Sequence, residues 1–423
     1  MDKSRKGFRI LTLGIASLMF SSITFGIDIK TSLKTEYSDN ITKTENHQVD
    51  DFEHSANLFI SSEERYGKFD NSLLADFSYK HYQHGTFSND LETELEWDGV
   101  YHILPNFFTW DISDEISEVV ISTTQVNTPD NRERRNVFST GPRFDYKISK
   151  LDSLNLSGLY QRTDFQTEGA DSDRLRADTS WSHVLSSRSS AGLNYRWSKT
   201  EFSRGRNIYN AEATVFTKLS NLQNTLDLEY GLVDVKSKDT HDQQNTDSSI
   251  WDAKYTRRVD ASSNLTLSFL REVGDTSTSF DALVDGSYID LTDIDIVRVT
   301  EWGIDYTKTF SSRSRASVRL YDDEVVYLET GDVEERAGID IQLSRPIRPT
   351  LTVSFDANYE HSTFKDIDRK DDRYDLTIGL SKSFFKNLSL LLETGIEEQD
   401  SNQPSNDYTE WTISAELTYI PAL

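Results

Sequence analysis

From Ile27 onward the chain is written in segments of about ten to fifteen residues whose apolar and polar positions alternate. The last pair is the plainest. Leu388, Leu390, Leu392 and Ile396 share one parity, while Ser389, Glu393 and Gly395 share the other. Trp411, Ile413, Ala415, Leu417 and Tyr419 then alternate with Thr412, Ser414, Glu416 and Thr418. Side chains alternate across a strand, so each segment presents one apolar and one polar face. The texture recurs in Leu351–Tyr359, Ala337–Ser344, Trp302–Phe310, Leu226–Leu232, Ala191–Trp197 and Leu91–Asp98.

Connector lengths carry a second rhythm. Short links such as Lys68–Asn71, Ser186–Ser189, Ser220–Gln223 and Phe385–Asn387 alternate with long polar ones. The long ones include Ser38–Asp51, Thr123–Arg135, Lys236–Thr246, Ser362–Asp372 and Gln399–Asn406. An antiparallel meander with tight turns on one rim and loops on the other reads this way. The expected fold is therefore all-β: a closed antiparallel up-and-down transmembrane barrel of about 20 strands, with bounds of roughly 18–22. Short turns and both termini fall on the periplasmic rim, and long loops on the extracellular one. The segment Val273–Ile296 reads either as one long loop or as a loop hiding a further hairpin. A soluble sandwich would show the same alternation against a second sheet. Aromatics at apolar-parity positions (Trp97 and Tyr101, Tyr195 and Trp197, Trp302 and Tyr306, Trp411 and Tyr419) favour membrane girdles instead. Pro421 cannot donate to a ladder, so pairing should stop near Tyr419.

The first residues break the pattern. Lys3, Arg5, Lys6 and Arg9 precede an apolar run from Ile10 to Phe20, and Thr24-Phe25-Gly26 offers small residues around a cleavage point. That is the layout of a signal peptide cleaved after Gly26, and the run is shorter than the roughly 20 residues of a spanning helix. The chain accordingly divides into residues 1–26, a leader, and residues 27–423, a barrel placed in the outer membrane. A mean hydropathy of -0.60 leaves no room for helical spans. The absence of cysteine removes disulfides, thiolate metal sites and covalent haem attachment.

A net charge of -26 opposes phosphate binding, which argues against nucleic acid as a partner. No nucleophile elbow, zinc-protease motif or phosphate loop is present, so neither an enzyme nor a cofactor is expected. His81 and His84 lie close together but at the start of an expected rim loop, and no metal site is assigned to them. The acids Asp366, Asp368, Asp371 and Asp372, and again Asp290, Asp293 and Asp295, have the hard oxygens calcium prefers. Ordinary solvated loops account for them better.

The polar parity is where function would lie. With apolar residues facing lipid, the lumen receives Glu92, Glu94, Glu96, Asp98, Asp227, Glu229, Asp305, Asp340, Asp356, Glu393 and Glu416, with Asp375 beside them. Lys30, Lys34, Arg143, Arg196 and Arg319 stand against these. Such a lining favours cations in a water-filled pore.

The opening of the mature chain, Ile29-Lys30-Thr31-Ser32-Leu33-Lys34-Thr35-Glu36-Tyr37-Ser38-Asp39-Asn40, and the repeated Tyr- and Trp-bearing segments carry a resemblance. In texture, over the whole mature length, the chain resembles the outer-membrane β-barrel porins found with exopolysaccharide and exosortase (PEP-CTERM) systems. The resemblance implies a passive porin-like conduit and, more finely, the outer-membrane component of exopolysaccharide export. The expected partners are outer-membrane lipid, lipopolysaccharide, the barrel assembly machinery, and a polysaccharide or small hydrophilic solute as cargo. The alternative is a non-conducting scaffold whose acidic extracellular loops bind divalent cations, lipopolysaccharide or a matrix partner.

Overall fold

A computed structural model describes residues 26–166, 171–238, 243–277 and 294–421. The leader read from residues 1–26 lies, apart from Gly26, outside the described residues, and so do residues 278–293 of the segment between Val273 and Ile296.

Among the described residues there are twenty strands. They are β1 (Ile27–Ser38), β2 (Asp51–Tyr66), β3 (Phe69–Tyr82), β4 (Asp90–Leu104) and β5 (Phe108–Val120). β6 (Arg132–Lys147), β7 (Asp152–Phe165), β8 (Ser172–Ser186), β9 (Ser189–Phe202) and β10 (Asn207–Ser220) follow. Then come β11 (Asn224–Lys238), β12 (Gln243–Asp260), β13 (Ser263–Asp275), β14 (Ile296–Thr309) and β15 (Arg315–Tyr327). The last are β16 (Val333–Arg348), β17 (Leu351–Phe364), β18 (Arg369–Phe385), β19 (Leu388–Ser401) and β20 (Tyr408–Tyr419). Each strand pairs antiparallel with the next, and β1 closes the ring on β20 from Thr31↔Tyr419 to Ser38↔Thr412. The fold is the closed up-and-down barrel that the alternation predicts.

Several strands run further than periodicity placed them. β11 continues to Lys238 and β12 starts at Gln243, so the Lys236–Thr246 link is mostly strand. The short links tighten correspondingly. Tyr66 pairs with Phe69, leaving a two-residue turn in which Gly67 takes φ 60°, a left-handed value open to glycine without strain. Pairing ends at Tyr419 ahead of Pro421, and the Ile420 amide donates to the Asn387 carbonyl at 2.9 Å.

The direction of the two faces is a tertiary matter. The apolar parity points outward: Leu33, Leu193, Leu232 and Ile413 are 63, 51, 62 and 62 % exposed on the bare protein. An exposed apolar belt of this kind is what a lipid-facing wall requires. At about 4.8 Å per strand and a tilt near 40°, twenty strands enclose a backbone ring roughly 40 Å across. The apolar core is displaced from the middle of the molecule. It sits under the loop rim, where Phe202, Ile208, Val233, Val235, Ile250, Val273 and Ile296 form one cluster and Val297, Val299, Val325 and Tyr327 another.

Candidate functional site: the lumen and its loop-side mouth

Strand register assigns the faces residue by residue. Glu334 of β16 accepts a hydrogen bond from Thr123 Oγ1, in the β5–β6 loop on the far side of the ring, at 2.7 Å. That contact passes through the lumen, so Glu334 and every residue of its parity face inward. Carried around the ladders, this parity includes Glu92, Glu94, Glu96 and Asp98 on β4, and Asp227 and Glu229 on β11. It also includes Asp305, Asp340, Asp356, Glu393 and Glu416 on β14, β16, β17, β19 and β20. Lys30, Lys34, Arg143, Arg196 and Arg319 share the face.

These acids have different fates. Lys80 meets Glu92 at 2.6 Å, Arg319 meets Asp305 at 3.8 Å and Lys218 meets Asp227 at 3.9 Å. Asn194 donates to Glu229 at 2.8 Å, and the Asn358 amide donates to Asp340. Glu94, Glu96 and Asp98 make no ion pair among the described residues. Asp76 stands directly opposite Glu94, and Glu115 directly opposite Glu96. Like charges facing each other across a ladder repel, and they persist where water and counter-cations reach them.

β8 and β9 present the opposite character. Arg174, Arg176 and Arg196 descend the inward face there; Arg176 and Arg196 both hold Asp178, at 2.8 and 2.9 Å. The lining is thus acidic along β4 and mixed along β8–β10, a division that the acidic average of the chain hides.

The mouth departs most from a plain meander. β12 and β13 pair only from Asp260↔Ser263 up to Trp251↔Arg271, leaving Gln243–Ile250 without a ladder to β13. β13 nevertheless stays paired with β14 up to Asp275↔Ile296. Above the break the described ends of β13 and β14 come away from β12 and pack against the inner face of β9–β12, while β14 stays laddered to β15 through Val297↔Tyr327. Ile296 is fully buried on one face of β14, and Val297 and Val299 on the other. Asp275 reaches β8 and β9: Arg174 Nη2 donates to its two oxygens at 2.7 and 2.8 Å, and Thr200 Oγ1 donates to one at 3.1 Å. Arg206, in the β9–β10 loop, holds Glu329 of the β15–β16 loop at 2.6 Å and also donates to the Ile294 carbonyl.

A second hairpin does the same. β4–β5 pairing stops at Leu95↔Ile116, while β5–β6 runs on to Val120↔Arg132. Its loop spans the mouth, with Thr123 on Glu334 and the Thr124 carbonyl accepting from Arg369 Nη1 at 2.5 Å.

Loop carboxylates hold the rim. Asp51 is fully buried and accepts from the amides of Phe52, His84 and Thr86. Burial alone would raise its pKa, but these N–H groups outweigh burial and hold the carboxyl below its ordinary value. Burial pushes the Glu329 carboxyl up, in spite of a Ser237 hydrogen bond and Arg206. The histidines weighed as a pair separate: His81 stacks on His54, while the His84 ring lies 3.6 Å from Asp51. Asp371 is gripped by Arg369, Asp372 by Tyr359 and His361, and Asp295 caps the Glu329 and Thr330 amides. Asp290 and Asp293 lie outside the described residues.

Reading by parity missed Arg174, Asp275 and both inward hairpins. One signal was available. After Leu226, Leu228, Tyr230 and Leu232, the apolar residues of β11 switch parity to Val233 and Val235, and Ile296-Val297-Arg298-Val299 is apolar on both faces. A strand that turns its apolar side inward above the lipid belt is burying it against something within the barrel.

Comparison with known proteins agrees with the architecture. No curated protein matches the sequence. Among solved structures, the FrpB iron transporter of Neisseria meningitidis (F3-3 variant) is similar at a TM-score of 0.51 and 8 % identity, over 93 % of this chain and 81 % of that one. Its F5-1 variant gives 0.48 and 8 % over 93 and 82 %, and the siderophore receptor PirA of Pseudomonas aeruginosa 0.46 and 8 % over 94 and 81 %. Residues 330–419, from the β15–β16 loop through β20, match the family described as Putative beta-barrel porin 2. The protein has the porin-like fold of an outer-membrane β-barrel.

Proposed function

We propose that the barrel is a passive conduit for small hydrophilic solutes, with a preference for cations. The observation that carries this reading is the inward ladder Glu94, Glu96 and Asp98, which has no ion-pair partner among the described residues and faces further acids across both neighbouring ladders. Fixed negative charge on the wall of an aqueous lumen concentrates cations and depletes anions. Export of an exopolysaccharide is the finer reading and rests on resemblance alone. Two hairpins bridge the mouth, so a polymer would have to displace both, which favours small solutes. A scaffold barrel with ligand-binding loops would not conduct.

Reversal potentials in planar bilayers under a KCl gradient test the reading. The expected result is a cation-selective channel whose selectivity falls severalfold in an E94Q/E96Q/D98N variant. A correctly folded barrel that is silent, or one that selects anions, overturns it.

A further inference from the structure

We propose that the short-turn rim of the barrel is a binding surface for anionic phospholipid headgroups of the leaflet on that side. The surface stands whether or not the lumen conducts.

Five of the short turns are entered through a β-bulge, and the residue that each bulge inserts is large and apolar: Ile103, Leu185, Val259, Ile347 and Phe384. A bulge adds one residue to a strand and re-aims its side chain. Each of the five falls on the outward parity of its strand, so the insertions carry the lipid-facing wall down to the turns. All but Ile103 are exposed on the bare protein. Turns that stand in water are built instead from Gly, Pro, Asn, Asp and Ser.

Charge is the second observation. The chain carries a net -26, yet this rim presents cations. Arg188, Arg348 and Lys386 lie within three residues of an insertion, are exposed, and make no ion pair among the described residues. Lys68, Lys150 and Arg313 repeat the charge in three further turns. Acids of the rim are answered locally: Asp70 by Arg65 and His102, Asp152 by His183, and Asp260 by Lys308. The cations are thus left for an anion from outside the chain. An apolar side chain at the acyl boundary, beside a cation that reaches the phosphate level, is an interfacial anchor whose complement is a negatively charged headgroup. An acidic soluble partner would match the charge alone. The outward parity of the inserted residues, continuous with the lipid-facing belt, favours the membrane.

Native mass spectrometry of the folded, full-length barrel released from detergent tests this, after titration with phosphatidylglycerol or phosphatidylcholine of equal chain length. Phosphatidylglycerol is expected to be retained severalfold more than phosphatidylcholine, and the excess to disappear in R188Q/R348Q/K386Q. K365Q/K370Q, which removes cations from the loop rim, should keep the excess. I347S/F384S, with all rim cations present, should retain severalfold less phosphatidylglycerol than the unaltered barrel. Equal retention of the two lipids by the unaltered barrel, or an excess that survives R188Q/R348Q/K386Q, overturns the proposal. So does displacement of the lipid by inorganic phosphate at equal concentration, which would mark a bare phosphate site. If poly-glutamate binds through the same three side chains and phosphatidylglycerol does not, the rim serves an acidic soluble partner and the lipid assignment falls.

Discussion

At the scale of single residues, the lumen is packed where it looks open. Gly192 of β9 lies under the ring of Phe216, and a methyl group there would come within 2.1 Å of the Trp181 carbonyl and 2.5 Å of that ring. The carbonyl belongs to the wall and cannot rotate away. Gly192→Ala is therefore expected to destabilise the barrel by about 1–3 kcal/mol, as overpacking does. Gly158→Ala, whose nearest neighbour is a Pro142 carbon at 3.8 Å, should be neutral by comparison. Denaturant midpoints of the refolded proteins in detergent or lipid decide between them, and equal effects would refute the packing argument. Parity already marked Gly192 as inward. Nothing in the sequence marked Phe216 as the side chain above it, because that pairing depends on the β9–β10 register.

At the scale of elements, buried carboxylates order the loops. Asp51 ties the start of β2 to the β3–β4 loop through the His84 and Thr86 amides. Its pKa is lower folded than unfolded, so the stabilisation is complete above the unfolded value of about 3.9 and is lost as pH falls through the folded one. Amide exchange at His84 and Thr86 should stay slow from neutral pH down to about pH 4 and accelerate below it. Asp51→Ala should remove that protection at every pH and cost about 1–3 kcal/mol, because buried N–H donors are left unmade. Slow exchange in the Ala variant would show that the loop is ordered by other contacts. The capping role was not legible beforehand: Asp51 and His84 are far apart in sequence and meet only because β2 and β3 pair from Glu53↔Tyr82 to Tyr66↔Phe69.

At the scale of the whole molecule, the barrel inverts the usual arrangement of faces. Leu228→Arg, in the middle of the outward stripe of β11, should cost about 2–4 kcal/mol in a bilayer. The adjacent lumenal change Asp227→Asn should leave folding intact and alter only conduction. Folding titrations into lipid vesicles test the contrast, and equal penalties would mean that the outward face does not meet lipid. The same inversion accounts for the loop-side core. Above the lipid belt the outer wall meets water, so β9–β14 turn their apolar residues inward and need an inserted hairpin to cover them.

The alternation by itself determined the strands, their antiparallel meander and the even count near twenty. Those features follow from a period of two and from connector lengths, both local properties of a chain. Tertiary structure decided what parity cannot express. Lateral pairing ends at Trp251–Arg271 and at Leu95–Ile116, and those two breaks send hairpins into the mouth. Whether a strand's upper half stays in the wall depends on competition between a backbone ladder and side-chain burial against strands distant in sequence. On β13 and β14, Val273 and Ile296 join the cluster of Phe202 and Val235 and Asp275 meets Arg174, residues brought together only when the ring closes.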